Sequence, residues 1–135
     1  MHIRNMIPQL RRLVLIVVVG ALALGVLGCD LFPTQPTFEG TYKATLPAAD
    51  ASALEMTLAL NADKTCTLSS LYVGKSDKPS VDKGQWSSSG NSITIDMTPA
   101  DGEAPYQITF ELKDGELVPT KWTVGWGQDL RMKKQ

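Results

Sequence analysis

Hydrophobic and polar positions alternate with a period of two along most of the chain beyond Phe38. Leu54, Met56, Leu58 and Leu60 alternate with Glu55, Thr57 and Ala59, the pattern of a strand with one buried face. Tyr106, Ile108, Phe110 and Leu112 alternate with Gln107, Thr109 and Glu111, and Ile93, Ile95 and Met97 with Thr94 and Asp96. Gly40 to Leu46 reads as an earlier strand with Tyr42, Ala44 and Leu46 on one face. Thr65 to Val73 turns Cys66 and Leu68 to one side, and a strand around Val81 to Ser87 carries Trp86. Turn chemistry separates them at Asn61-Ala62-Asp63-Lys64, Ser88-Ser89-Gly90-Asn91 and Asp114-Gly115, and polar loops span 74–80 and 98–105. Glu116 to Val118 begins a return strand, and Trp122 to Met132 is expected to supply one or two closing strands. No stretch carries a convincing helical stripe. Six to eight short antiparallel strands must hide their edges, so the pattern predicts an all-β, up-and-down barrel or strongly coiled sheet.

The alternation is absent from the start of the chain, where Leu13 to Cys29 is one apolar run. Arg4, Arg11 and Arg12 precede it and no acidic residue occurs before Asp30, so residues 1–28 read as a bacterial secretion signal that is cleaved. The run is shorter than the roughly 20 residues that span a bilayer, and Gly20, Gly25 and Gly28 interrupt it. Val26-Leu27-Gly28-Cys29 resembles a lipobox, in which a small residue precedes a cysteine that is acylated and becomes the new N-terminus. Cys29 is therefore the predicted lipidation site, and the membrane the first predicted partner. Residues 29–37, with Pro33 and Pro36, suit an extended tether, and 38–135 form the predicted domain. Asp30 resembles the signal that holds a lipoprotein in the inner membrane.

Removal of residues 1–28 leaves ten basic and fourteen acidic residues, a length and charge that fit one small domain and exclude a nucleic-acid surface. With Cys29 committed to lipid, Cys66 has no partner for an intramolecular disulfide. The lone histidine, His2, lies in the signal, so an imidazole base, a histidine-bound zinc or a Ser-His-Asp triad lacks its parts. The carboxylates Asp96, Asp101, Glu103 and Glu111 follow no pairing pattern and read as solvated surface, and residues 98–105 lack EF-hand spacing. A non-enzymatic monomer is the expectation.

Several segments in order resemble the N-terminal domain of the NlpE family of copper-resistance and envelope-stress lipoproteins. They are Gly40-Thr41-Tyr42-Lys43-Ala44-Thr45-Leu46-Pro47, Leu60-Asn61-Ala62-Asp63-Lys64-Thr65, Leu71-Tyr72-Val73-Gly74-Lys75, Lys83-Gly84-Gln85-Trp86 and Asn91-Ser92-Ile93-Thr94-Ile95. The resemblance implies a lipocalin-like small barrel, an outer-membrane address facing the periplasm, and an envelope protein as partner. With Asp30 pointing to the inner membrane, both addresses stay open. The family's Cys-x-x-Cys after the first strand is replaced here by Ala48 and Ala51, which offer no sulfur.

Cys66, Met56, Met97 and Met132 could form a soft Cu(I) site if they converged, although all fall on core positions of the alternation. Trp86, Trp122 and Trp126 could line a ligand mouth or pack as core and rim, with Trp126 flanked by Gly125 and Gly127. The functional expectation is a lipid-anchored binding or sensing module. The alternative is a carrier or inhibitor that uses the barrel mouth for a small apolar ligand or a protein.

Overall fold

The computed structural model describes residues 34–122 and 129–135. Eight antiparallel strands follow in chain order: β1 (Gly40–Leu46), β2 (Ala53–Leu60), β3 (Thr65–Val73), β4 (Ser80–Ser89), β5 (Ser92–Thr98), β6 (Tyr106–Lys113), β7 (Glu116–Trp122) and β8 (Met132–Lys134). Each pairs with the next, and β8 returns to β1, so the sheet closes into an up-and-down barrel. The predicted lipocalin-like architecture is the observed one.

Alternation dictates the packing. On β2 the even positions Leu54, Met56, Leu58 and Leu60 are buried, on β5 Ile93, Ile95 and Met97, and on β6 Ile108 and Phe110. Tyr42, Cys66, Leu68, Trp86 and Leu117 complete one apolar core. A one-residue slip in any strand would turn its apolar set outward, so the core fixes the register.

The two ends of the barrel differ. At the end where the chain enters β1, the connections are tight: residues 61–64, 90–91 and 114–115. Asp114 (φ 52°) and Gly115 (φ 80°) both adopt the left-handed conformation of a type I′ hairpin turn. At the other end, residues 47–52, 74–79 and 99–105 form longer connections. That end is the mouth.

Three strand limits depart from the sequence reading. β4 continues to Ser89, because Ser88 and Ser89 pair through the backbone with Ile93 and Ser92 whatever their side chains. β7 runs on to Trp122 through Pro119, where a register irregularity between Thr109 and Phe110 accommodates the residue that cannot donate to the ladder. Closure is made by Met132–Lys134, which starts at the last residue of the expected closing segment and runs beyond it, and residues 123–128 of that segment lie outside the described residues. Leu130 and Met132 supply the fully buried side chains there, while Lys133 and Lys134 stay exposed.

Candidate functional site

Gly84 lies inward on β4, with Cys66 of β3 and Met97 of β5 as its register partners on either side. Because glycine projects nothing between them, the two sulfur side chains meet across it, Cys66 Sγ donating to Met97 Sδ at 3.5 Å. Both are buried. Desolvation, then the negative charge of Asp96, pushes the Cys66 thiol up to about 11. It is therefore a neutral thiol at pH 7 and not the thiolate that a soft metal ion takes.

The other sulfurs do not converge on this pair. Met56 pairs with Ser70, four residues from Cys66 along β3 or about 13 Å at the rise of a strand. Met132 sits against Leu117 on β7. Both are core residues. At the positions that the family fills with its cysteine pair, Ala48 packs against the core and Ala51 is half-buried. Methyl groups there hold no copper. Among the described residues no group of three or more His, Cys, Asp or Glu side chains is placed to bind a metal ion.

The tryptophans divide by position. Trp86 closes the hairpin end: its Nε1 donates to the Asn61 carbonyl at 3.0 Å, its backbone N donates to the Lys64 carbonyl at 2.8 Å, and Lys64 Nζ lies 3.6 Å above its ring. Lys64 takes a left-handed φ of 69° to do so. Asp63 Oδ1 stiffens the same turn by accepting from Thr65 N at 3.0 Å and Oγ1 at 2.6 Å. Trp122 is half-buried and packs against the core. Trp126 and Cys29 lie outside the described residues.

Sequence reasoning missed Asp82. It occupies an inward position of β4, half-buried towards the mouth, where the alternation calls for an apolar residue. Its Oδ2 accepts from Tyr106 OH at 2.6 Å and its Oδ1 from Ala100 N at 3.2 Å, so one carboxylate ties β4 to β6 and to the 99–105 connection. Burial first, then the Asp82 hydrogen bond and charge, holds the Tyr106 phenol well above its usual range. The signal was available in the row Ser80, Asp82, Gly84, Trp86, three of whose members are not apolar. Of the carboxylates read as surface, Asp96 and Asp101 are exposed and accept hydrogen bonds, from Gln107 Nε2 at 2.7 Å and from Glu103 N at 3.2 Å. Two shallow outer grooves, of about 330 and 460 Å³, share Asp96 and Thr98.

The motifs that first carried the resemblance thus have physical jobs: the 61–65 turn and Trp86 plug one end, and Gly84 admits the sulfur contact. The model of the NlpE N-terminal domain matches residues 42–121, more than half of the chain. The chain belongs to the NlpE N-terminal domain family. Among solved structures, a candidate lipoprotein from Shewanella oneidensis is 27% identical, with 72% of this chain and 88% of the other covered and a TM-score of 0.44. The Cpx pathway activator NlpE from Escherichia coli is 18% identical, with 67% of this chain and 50% of the other covered and a TM-score of 0.44. A comparison with curated proteins finds no match. Relative to the NlpE pattern quoted above, the loss of both cysteines is the chemical departure.

Proposed function

We propose that this NlpE-domain protein is a lipid-anchored module of the cell envelope that works by binding a protein at its surface, without catalysis and without copper at the family's cysteine positions. Its interior is the observation that carries the reading. Large side chains, Tyr42, Phe110, Met56, Leu58, Ile93 and Ile108 among them, are fully buried in the one core that fills the barrel. An eight-stranded barrel has room either for its own side chains or for one small ligand, and the side chains buried here favour recognition at the surface over enclosure of an apolar ligand. The apolar run ending in Gly28-Cys29, followed by an extended tether, supports acylation of Cys29. Family membership supports the envelope address, at the inner or the outer membrane.

The test is mass spectrometry of the mature N-terminus from membrane and soluble fractions of the producing cell, beside Cys29→Ser. A chain beginning at an acylated Cys29 in the membrane fraction is expected, with Cys29→Ser left unprocessed. An unmodified Cys29, or a mature end elsewhere, would sink the anchor. Recovery of an apolar ligand from the purified barrel would favour the carrier reading instead.

A further inference from the structure

Inward positions of the barrel are apolar over most of its height, but not where β3 and β4 reach the mouth. Cys66 pairs with Gly84, Leu68 with Asp82 and Ser70 with Ser80, so these residues share the inner face, and Tyr72 is the next inward position on β3. Above Leu68 the inner wall of this sector is therefore Ser70, Tyr72, Ser80 and Asp82, where the alternation calls for apolar bulk. The core stops at the same level. Leu68 is buried, Ser70 and Asp82 are half-buried, Ser80 is exposed, and Tyr72 is 45% exposed although it faces inward. Two serines in register remove the bulk that seals the lumen lower down, which leaves a recess open to solvent in a barrel of the size that admits one small ligand.

The recess offers acceptors. Asp82 accepts from Tyr106 OH through Oδ2 and from Ala100 N through Oδ1, which fixes the carboxylate and leaves acceptor capacity on both oxygens. Neither bond neutralises its charge, and no lysine or arginine among the described residues forms an ion pair with it. Among the described residues the hydroxyls of Ser70 and Ser80 have no hydrogen-bond partner. Ser70 is the diagonal neighbour of Asp82, about 7–8 Å away across the strand pair, and Ser80 stands two residues from it on the same face, about 7 Å along β4. Asp101 lies near enough for its charge to act on Tyr106 as well. The cations of the 74–79 connection, Lys75 and Lys78, are exposed, and Lys75 pairs with Asp50 at 3.7 Å.

We propose that Asp82, Ser70 and Ser80 bind the ammonium group of a small primary amine, whose hydrocarbon chain runs past Tyr72 towards solvent. An ammonium group carries three donors and no acceptor, which matches one fixed carboxylate and two hydroxyls on one inner face. A carboxylate or phosphate ligand is repelled by Asp82, and a purely apolar one displaces the solvent that serves these groups without replacing its hydrogen bonds. The site goes beyond the protein-binding reading above and does not depend on it.

The full chain in a non-ionic detergent is titrated with hexylammonium chloride, hexanol and sodium hexanoate, and the backbone amide signals of Ser80 and Ala100 are followed by NMR. Saturable shifts with hexylammonium are expected, at least about tenfold tighter than with hexanol and weakened by salt, with none from hexanoate. Asp82→Asn, which keeps an acceptor for its neighbours but not the charge, lowers the affinity at least about tenfold. Ser80→Lys abolishes binding by placing the chain's own ammonium group beside Asp82, at an exposed position that spares the core. Asp114→Asn, at the hairpin end, leaves it unchanged. The same spectra show whether each variant is folded, and if Asp82→Asn is not, Ser80→Lys decides. Equal affinity for hexylammonium and hexanol, absence of saturable shifts, or hexylammonium binding that survives Ser80→Lys overturns the proposal.

Discussion

Replacing Gly84 by alanine adds one methyl group at a crowded point of the barrel. An ideal Cβ there would lie 2.7 Å from Met97 Sδ and 2.9 Å from the Asp96 carbonyl carbon, and would overlap the Asp96 carbonyl oxygen. Gly84 does not have a left-handed φ, so the cost is one of space. Met97 could swing aside, but the Asp96 backbone belongs to the β4–β5 ladder, which runs from Lys83↔Thr98 to Ser89↔Ser92. Relief therefore requires those strands to part locally. Overpacking a well-filled core costs about 1–3 kcal/mol, and each ladder hydrogen bond lost adds about 1 kcal/mol. A destabilisation of about 3–4 kcal/mol follows, a large fraction of the 5–15 kcal/mol typical of a domain. At about 4–8 °C per kcal/mol for a domain of this size, Gly84→Ala should melt at least about 12 °C below the wild type. Urea titration followed by tryptophan fluorescence gives the same quantity at constant temperature. Met97→Ala in the Gly84→Ala background should recover little, because the backbone overlap remains. A Gly84→Ala protein within about 1 kcal/mol of wild type would refute the crowding argument and with it the reason given for glycine in this motif.

The remaining predictions concern protons and the plug. Cys66 has a folded-state pKa of about 11 against 9.0 unperturbed, so the stability it contributes is complete below pH 9 and is lost as the pH rises through about 11. The difference corresponds to at most roughly 3 kcal/mol. Tyr106 is shifted in the same direction and adds to the loss above about pH 10; urea midpoints between pH 8 and 11 should fall in the wild type and fall less in Cys66→Ala and Tyr106→Phe. The buried thiol should resist a disulfide reagent in the native protein and react at once in urea, and rapid native labelling would contradict its burial. Trp86→Phe removes the hydrogen bond to Asn61 and weakens the Lys64 contact, for about 1–3 kcal/mol by urea titration; an unchanged midpoint would mean that the plug contributes nothing.

Strands with one apolar face were legible because a period of two leaves a single register that hides Leu54, Met56, Leu58 and Leu60 together. Gly40–Leu46 and Thr65–Val73 have the limits read from the pattern. What escaped was set by partners distant in sequence. The closing strand runs past Met132 to Lys133 and Lys134 because Tyr42 and Lys43 lie beside it on one flank and Glu116 and Leu117 on the other. Asp82 reads as an ordinary surface carboxylate until Tyr106, 24 residues on, reaches it. The candidate sulfur site was half legible: Cys66 and Met97 share a core, but their contact depends on the side chain that Gly84 lacks.

The seam between β1 and β8 bears on how the molecule comes into being. A chain that is made, or threaded across a membrane, from its N-terminal end presents β1 long before residues 132–134 exist to pair with it. Until they arrive, β1 has an unfilled edge and the core lacks Leu130 and Met132. Joining segments so far apart in sequence makes loop closure a late and slow event. The unfinished barrel therefore stays open and extensible until its last strand arrives.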